Sequence, residues 1–254
     1  MILSTHGIIE SSTVPFDTSY QEILNYATAQ GYTKPSFSQQ LRQNKLMLAL
    51  KAAGIWNKLD SFAVFYNDGS ANFGLIDWKR VSLYTAVNSP TFQTNAGFYG
   101  DGVSSYIDTN FNPATNGVNY TLNNASRFLW NNVVAPGSRF MDGNSSTSNN
   151  GIYSNNALTH RINQGTTSLT GANVLLNTTG LIAINRTSST NVELFDDTTQ
   201  FSRTATSTIV NSSNQFILRG GTQYSTQRTA VYGMGASLVS ENTDLYNALN
   251  AYFY

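Results

Sequence analysis

The chain has 254 residues, with 14 Lys+Arg against 14 Asp+Glu, a formal net charge of zero at pH 7 and no cysteine. That balance creates no long-range field for nucleic acid or an anionic membrane, and missing thiols exclude disulfides and thiolate metal sites. Charged residues are 11% of the total, less than half the usual quarter, so solubility rests on Asn, Ser and Thr.

The opening segment, "MILSTHGIIESSTVPFDTS", has no basic start followed by an apolar run, so it does not read as a conventional signal peptide. No stretch approaches the roughly 20 apolar residues that a membrane helix needs. Membrane insertion and nucleic-acid binding are therefore not expected. "NYT" at Asn119 and "NAS" at Asn124 match the glycosylation pattern, and the abundance of Asn, Ser and Thr accounts for them by chance.

Two helices come first. In "TSYQEILNYATAQG", Ser19 followed by Glu22 reads as a capping box. Tyr20, Ile23, Leu24 and Ala27 then form one apolar stripe, and Gly31 ends the helix. In "KPSFSQQLRQNKLMLALKAAG", Ser36 caps with Gln39, apolar residues recur from Leu41 to Ala53, and Gly54 stops the run. The apolar surface of Leu46, Met47, Leu48, Leu50, Ile55 and Trp56 is wider than one contact face needs. Leu46, Leu50 and Trp56 are accordingly the expected docking interface, with a homo-oligomer (a trimer) as the expected assembly.

The period then changes. "SFAVFYNDGSANFGLIDW" reads as a β-hairpin turning at Asn67-Asp68-Gly69. Short strands follow at residues 104–109, 125–131, 151–153, 159–163, 181–186, 191–195 and 215–219, separated by turn clusters. That spacing predicts an antiparallel β-sandwich. The end returns to helix, with Leu245, Ala248, Leu249 and Tyr252 on one face. Residues 1–60 are thus expected as a helical anchoring segment and 61–254 as the sandwich.

"GFYGDGVSSYIDT" (residues 97–109), "GLIAINRTSSTNVELFDD", "FILRGG" and "AVYGMGASLVSENTDLYNAL" resemble, in order and spacing, the strands of laminin-G-like, concanavalin A-like lectin jelly rolls. The resemblance covers roughly residues 73–254. It implies a mainly β fold, an antiparallel jelly-roll sandwich with an N-terminal helical hairpin and a short C-terminal helix. The whole arrangement also resembles modules of bacteriophage virion proteins, in fibre, tail or head decoration, which implies a virion location and other virion proteins as partners.

Hydrolases of this kind carry a Glu-x-Asp-x-x-Glu strand with two acids on one face. None of Glu10, Glu22, Glu193 and Glu241 sits in such a pattern, and the chain is not expected to be an enzyme. Calcium-binding relatives use rim-loop oxygens. The counterparts here are residues 67–72 and 142–150, which makes Asp68 and Asp142 the metal candidates; no cofactor beyond such a calcium ion is expected.

His6 and His160 lie far apart, and a lone histidine in a strand reads as structural. Asp196-Asp197 reads as a solvated turn, and Trp130 in "RFLWNN" as core. Carbohydrate recognition needs flat aromatic faces beside amides, and the candidates are Tyr224, Tyr153, Asn149 and Arg228, presented by rim loops 142–150 and 220–228. The functional expectation is a virion structural or attachment protein binding a host glycan. The alternatives are a capsid or fibre component that binds no sugar, and a bacterial surface carbohydrate-binding protein.

Overall fold

The first helix, α1 (Thr18–Ala29), is capped by Asp17, whose carboxylate accepts from Ser19 N at 2.9 Å. Ser19 therefore sits inside the helix rather than at its cap. Lys51 fixes the choice, because its ammonium donates to both Asp17 at 2.6 Å and Ser19 at 2.9 Å. The second helix, α2 (Phe37–Ala52), starts at Ser36 as its sequence indicates, with the hydroxyl accepting from Gln39 N at 3.3 Å. This computed structural model describes residues 15–133, 140–145, 151–153, 160–164 and 179–254.

The body of the protein is two antiparallel sheets. The larger runs in the order Thr199–Thr204, Asn191–Asp196, Gly180–Arg186, Ala125–Val133, Arg228–Gly235, Gly97–Tyr99 and Thr91–Gln93. Strand β1 (Leu59–Val64) also pairs with Arg228–Gly235. The smaller sheet runs Gly151–Tyr153, Phe140–Gly143, Phe216–Ile217, Tyr106–Asp108 and Thr85–Val87. The β-sandwich with N-terminal helices and a short C-terminal helix, Asn242–Phe253, is thus the observed fold.

Both faces of the large sheet are covered. Toward the small sheet, Leu129, Ile182, Ile184, Leu194, Tyr232 and Met234 pack with Ile107, Met141, Ile152 and Ile217. Toward the helices, Phe62, Phe128, Trp130, Leu181 and Val231 pack with Tyr20, Ile23, Leu46, Met47, Leu50, Leu245 and Leu249. The two-residue strand period explains the alternation, since neighbours such as Leu129 and Trp130 enter opposite cores. Gly233 is required where it stands: its partner Phe128 lays its ring across the place a Cβ would fill.

Three expectations change. The hairpin across 61–78 does not form, because all six β1 residues are buried and find their partner in Arg228–Gly235 instead. Residues 71–74 form a short helix, and Asp77 turns back to accept from the Ser61 hydroxyl at 2.6 Å and Phe62 N at 3.2 Å. Second, Leu46, Leu50 and Trp56 are only 2%, 0% and 8% exposed, so the core shared by the helices and the large sheet takes up the surface assigned to docking. The exposed apolar residues of α2 are Phe37, Leu41 and Leu48. Third, the boundary expected at residue 60 falls inside β1, and the helices share one core with the sheet.

Between the sheets lies a buried ion pair, Arg127 Nη1 to Asp142 Oδ2 at 2.9 Å, with both side chains inaccessible. Asp142 also accepts from Ile152 N at 2.7 Å, Gln215 Nε2 at 3.3 Å and the Tyr232 hydroxyl at 3.4 Å. Burial pushes its carboxyl pKa up, against the pull of Arg127. Removing one partner strands the other charge in the core. Arg127→Met is expected to destabilise the fold by about 3–5 kcal/mol. Adding Asp142→Asn should restore much of that, because the amide oxygen still accepts from Ile152 N; urea denaturation midpoints at constant m-value check the pair.

Candidate functional site

Where the large sheet meets the C-terminal helix, a groove of about 510 Å³ opens. The helix lines it with Tyr246, Asn250 and Phe253; the sheet and its connections contribute Gln93, Asn95, Asn132, Asp197 and Arg228. Trp130, also in the lining, is held by stacking: its ring lies 4.8 Å from Phe253 at 24° and 5.9 Å from Tyr246 at 27°. Tyr66 meets Phe253 edge-on at 5.1 Å. Such packing orders the aromatic wall before any ligand arrives.

The polar groups divide into two sets. Asn132 is committed, donating to Ala96 O at 2.8 Å, and Asp197 accepts from Leu181 N at 2.8 Å through one oxygen. Asp197 sits in the tight turn expected from the sequence, with a positive φ of 54°. Asn242 donates to its backbone carbonyl at 2.8 Å, which ties the turn to the C-terminal helix. Gln93, Asn95 and Asn250 line the groove, and their side-chain amides make no hydrogen bond among the described residues. Arg228 lies over the Tyr99 ring at 5.3 Å. Aromatic faces beside uncommitted amides and one guanidinium suit a polyhydroxylated ligand.

The sequence-selected residues fall in different places. Arg228 lines the groove. Tyr224 and Tyr153 lie outside it: the Tyr153 hydroxyl donates to Gln223 Oε1 at 2.7 Å, and the Tyr224 ring packs 6.1 Å from that of Tyr106. Tyr224 is half-buried under the Arg219 guanidinium at 5.4 Å, which also covers Tyr106 at 4.5 Å and Phe216 at 4.7 Å. Tyr153 is 9% exposed, its ring edge-on to Phe140 at 4.5 Å. Asn149 lies outside the described residues, as does His6.

Neither metal candidate gathers partners. Asp142 is enclosed by the contacts already given, and Asp68 accepts from Ser36 N at 2.8 Å. No cluster of three His, Asp or Glu side chains occurs among the described residues. In the segment 97–109, Ser105, Ile107 and Thr109 are buried while Tyr106 and Asp108 share the other face, as the alternation indicates. Asp108 accepts from Asn110 N at 2.8 Å and Asn214 Nδ2 at 3.0 Å.

Of this lining the sequence singles out Arg228 as a site residue and reads Trp130 as core, while the helix residues Tyr246, Asn250 and Phe253 are not singled out. Their signal was present: Tyr246, Asn250 and Phe253 recur at i, i+4 and i+7, a second stripe beside the buried one.

No family model and no curated protein matches the chain. Among solved structures, Trypanosoma rangeli sialidase in complex with sialic acid is similar with a TM-score of 0.51 and 10% identity, over 84% of this chain and 40% of that one. The same sialidase with a difluoro-KDN ligand gives a TM-score of 0.52 and 11% identity, covering 84% and 40%. The receptor-binding domain of botulinum neurotoxin C/D mosaic serotype gives 0.52 at 10% identity, over 76% of this chain and 52% of that one. This chain therefore spans about 40% of the sialidase chains it matches.

At such identities the likeness is one of fold: a β-sandwich of the kind found in these sialidase and receptor-binding chains. It also corrects an expectation. The missing Glu-x-Asp-x-x-Glu strand had been read as setting catalysis aside, yet the sandwich is shared with chains of enzymes, so the fold does not separate this protein from them.

His160, by contrast, is structural in position, 1% exposed and accepting from Tyr153 N through Nδ1 at 3.2 Å. Burial, reinforced by Arg203 and Arg127, holds its pKa down to about 3. Unfolding exposes an imidazole that binds a proton near pH 6.5, so the unfolded state takes up the proton first. Stability should therefore fall as pH drops from about 6.5 toward 3, by up to about 1.4 kcal/mol per pH unit from this residue. His160→Gln should flatten that slope in urea titrations at stepped pH.

Proposed function

We propose that the chain is a glycan-binding β-sandwich module and that its site is the groove between the large sheet and the C-terminal helix. One observation carries this: Tyr246 and Phe253, ordered by stacking on Trp130, stand beside the uncommitted amides of Gln93, Asn95 and Asn250. Sugars present apolar C–H faces to aromatic rings and hydroxyls to amides, and this lining offers both. The similar sialidase structures are complexes with sialic acid or a difluoro-KDN, and the similar toxin domain is a receptor-binding one, which supports a recognition role for the shared sandwich.

The proposal extends to setting. A chain with only 11% charged residues, polar instead through Asn, Ser and Thr, fits a virion attachment protein displayed on a particle and meeting a host glycan. Phe37, Leu41 and Leu48 on α2 are the apolar residues left for contact with other virion proteins or further copies, a trimer included.

A glycan array with the purified protein is expected to show saccharide binding. Tyr246→Ala should then weaken the best-bound glycan about tenfold, which is ~1.4 kcal/mol, while the melting temperature shifts by only a few degrees. A silent array, or equal binding by the variant, overturns this reading.

A further inference from the structure

Resting on the groove as a saccharide site, we propose that its ligand is an acidic sugar and that Arg228 is the residue that binds the carboxylate. A guanidinium stays charged at every working pH and carries donors in a planar fork. Buried or half-buried arginines are normally answered by a carboxylate or by carbonyl oxygens. Three other arginines follow that rule: Arg127 pairs with Asp142, Arg186 donates to Ile162 O and Ala205 O at 2.8 Å each, and Arg219 donates to Gly221 O at 2.9 Å; Arg203, with both Nη atoms buried and unpartnered, does not, but it lies outside the groove lining.

Arg228 breaks it. It makes no ion pair and no side-chain hydrogen bond among the described residues, and its Nε is buried without a partner. The ring of Tyr99, 5.3 Å below, orients the guanidinium plane but accepts no hydrogen bond in the fork's own plane. The guanidinium thus rests over Tyr99 on the lining of a groove of about 510 Å³, and no acceptor among the described residues answers its terminal donors. A planar carboxylate matches two parallel N–H groups of such a fork, which a neutral hydroxyl does not.

The other charged residue lining the groove is Asp197, which lies beyond ion-pair distance of Arg228. Its position gives the site a direction. The acidic substituent faces Arg228, and the free oxygen of Asp197 accepts from a sugar hydroxyl at the other end. Asn95 and Asn250 flank the ring between them. Specificity follows from polarity: a neutral sugar leaves the guanidinium unanswered when it displaces the water there.

The test is titration calorimetry with three probe sets: oligogalacturonate and sialyllactose, the same compounds with the carboxylate reduced to the alcohol, and sulfated heparan fragments. The wild-type protein should bind at least one carboxylate probe tenfold or more tightly than its reduced form, with affinity falling as salt rises. Arg228→Gln should abolish that preference, and Arg228→Lys, which keeps the charge but loses the fork, should retain only part of it. Should Arg228→Gln fail to fold, as judged by its melting curve, the wild-type preference and the lysine variant still decide. Equal affinity for acid and reduced forms, an unchanged preference in Arg228→Gln, or preference for sulfate alone overturns the inference while leaving saccharide binding in the groove standing. Absence of all saccharide binding overturns both.

Discussion

The rest of this structure depends on a large antiparallel sheet that must be buried on both faces. Antiparallel sheets commonly leave one face to water. Here Leu129 faces the small sheet while Trp130, the next residue, faces the helices. Two cores are needed to satisfy one strand, so neither the helices nor the small sheet is optional. The helices at the two ends of the chain meet on this face: Gln39 and Gln43 of α2 both donate to the hydroxyl of Tyr252, at 2.6 Å and 3.3 Å. That hydroxyl in turn donates to Tyr66 O at 2.6 Å.

The same constraint makes the groove. A short helix cannot cover the whole outer face of an eight-stranded sheet. Asn242–Phe253 covers the region around Leu181 and Val231 and leaves the end near Asn95, Asn132 and Arg228 open. Trp130 sits at that border, 3% exposed, held between the helix rings and the solvent-filled space. What reads in sequence as a core tryptophan is core and site wall together.

Few charges are used, and those inside are placed with care. Arg127 reaches across the inter-sheet core to Asp142, and its Nη2 donates to Arg161 O at 2.6 Å. Arg186 ties residues 162 and 205 to the large sheet. His160 stays neutral among these cations because burial and their field both oppose its protonation. Arg127 and Arg186 thus serve as cross-links of the interior, whereas Arg228, on the groove lining, has no partner among the described residues.

The sequence by itself determined the elements with local causes. The α1 stripe, the Ser36 cap, the C-terminal stripe and the faces of residues 105–109 follow from 3.6- and 2-residue periods, which a chain carries wherever it packs. Only tertiary structure decided the rest. Whether β1 would pair with its neighbour or with Arg228–Gly235 depended on which partner buried both its faces, a long-range choice that local pattern does not record. Leu46, Leu50 and Trp56 looked like surplus surface because the sheet that covers them is remote in sequence. The site was legible only in fragments. Trp130 and Arg228 stand out by residue type, but their meeting with Tyr246 and Asn250 required the C-terminal helix to fold back across the sheet. A groove is a relation between surfaces brought together by packing, and no single segment contains it.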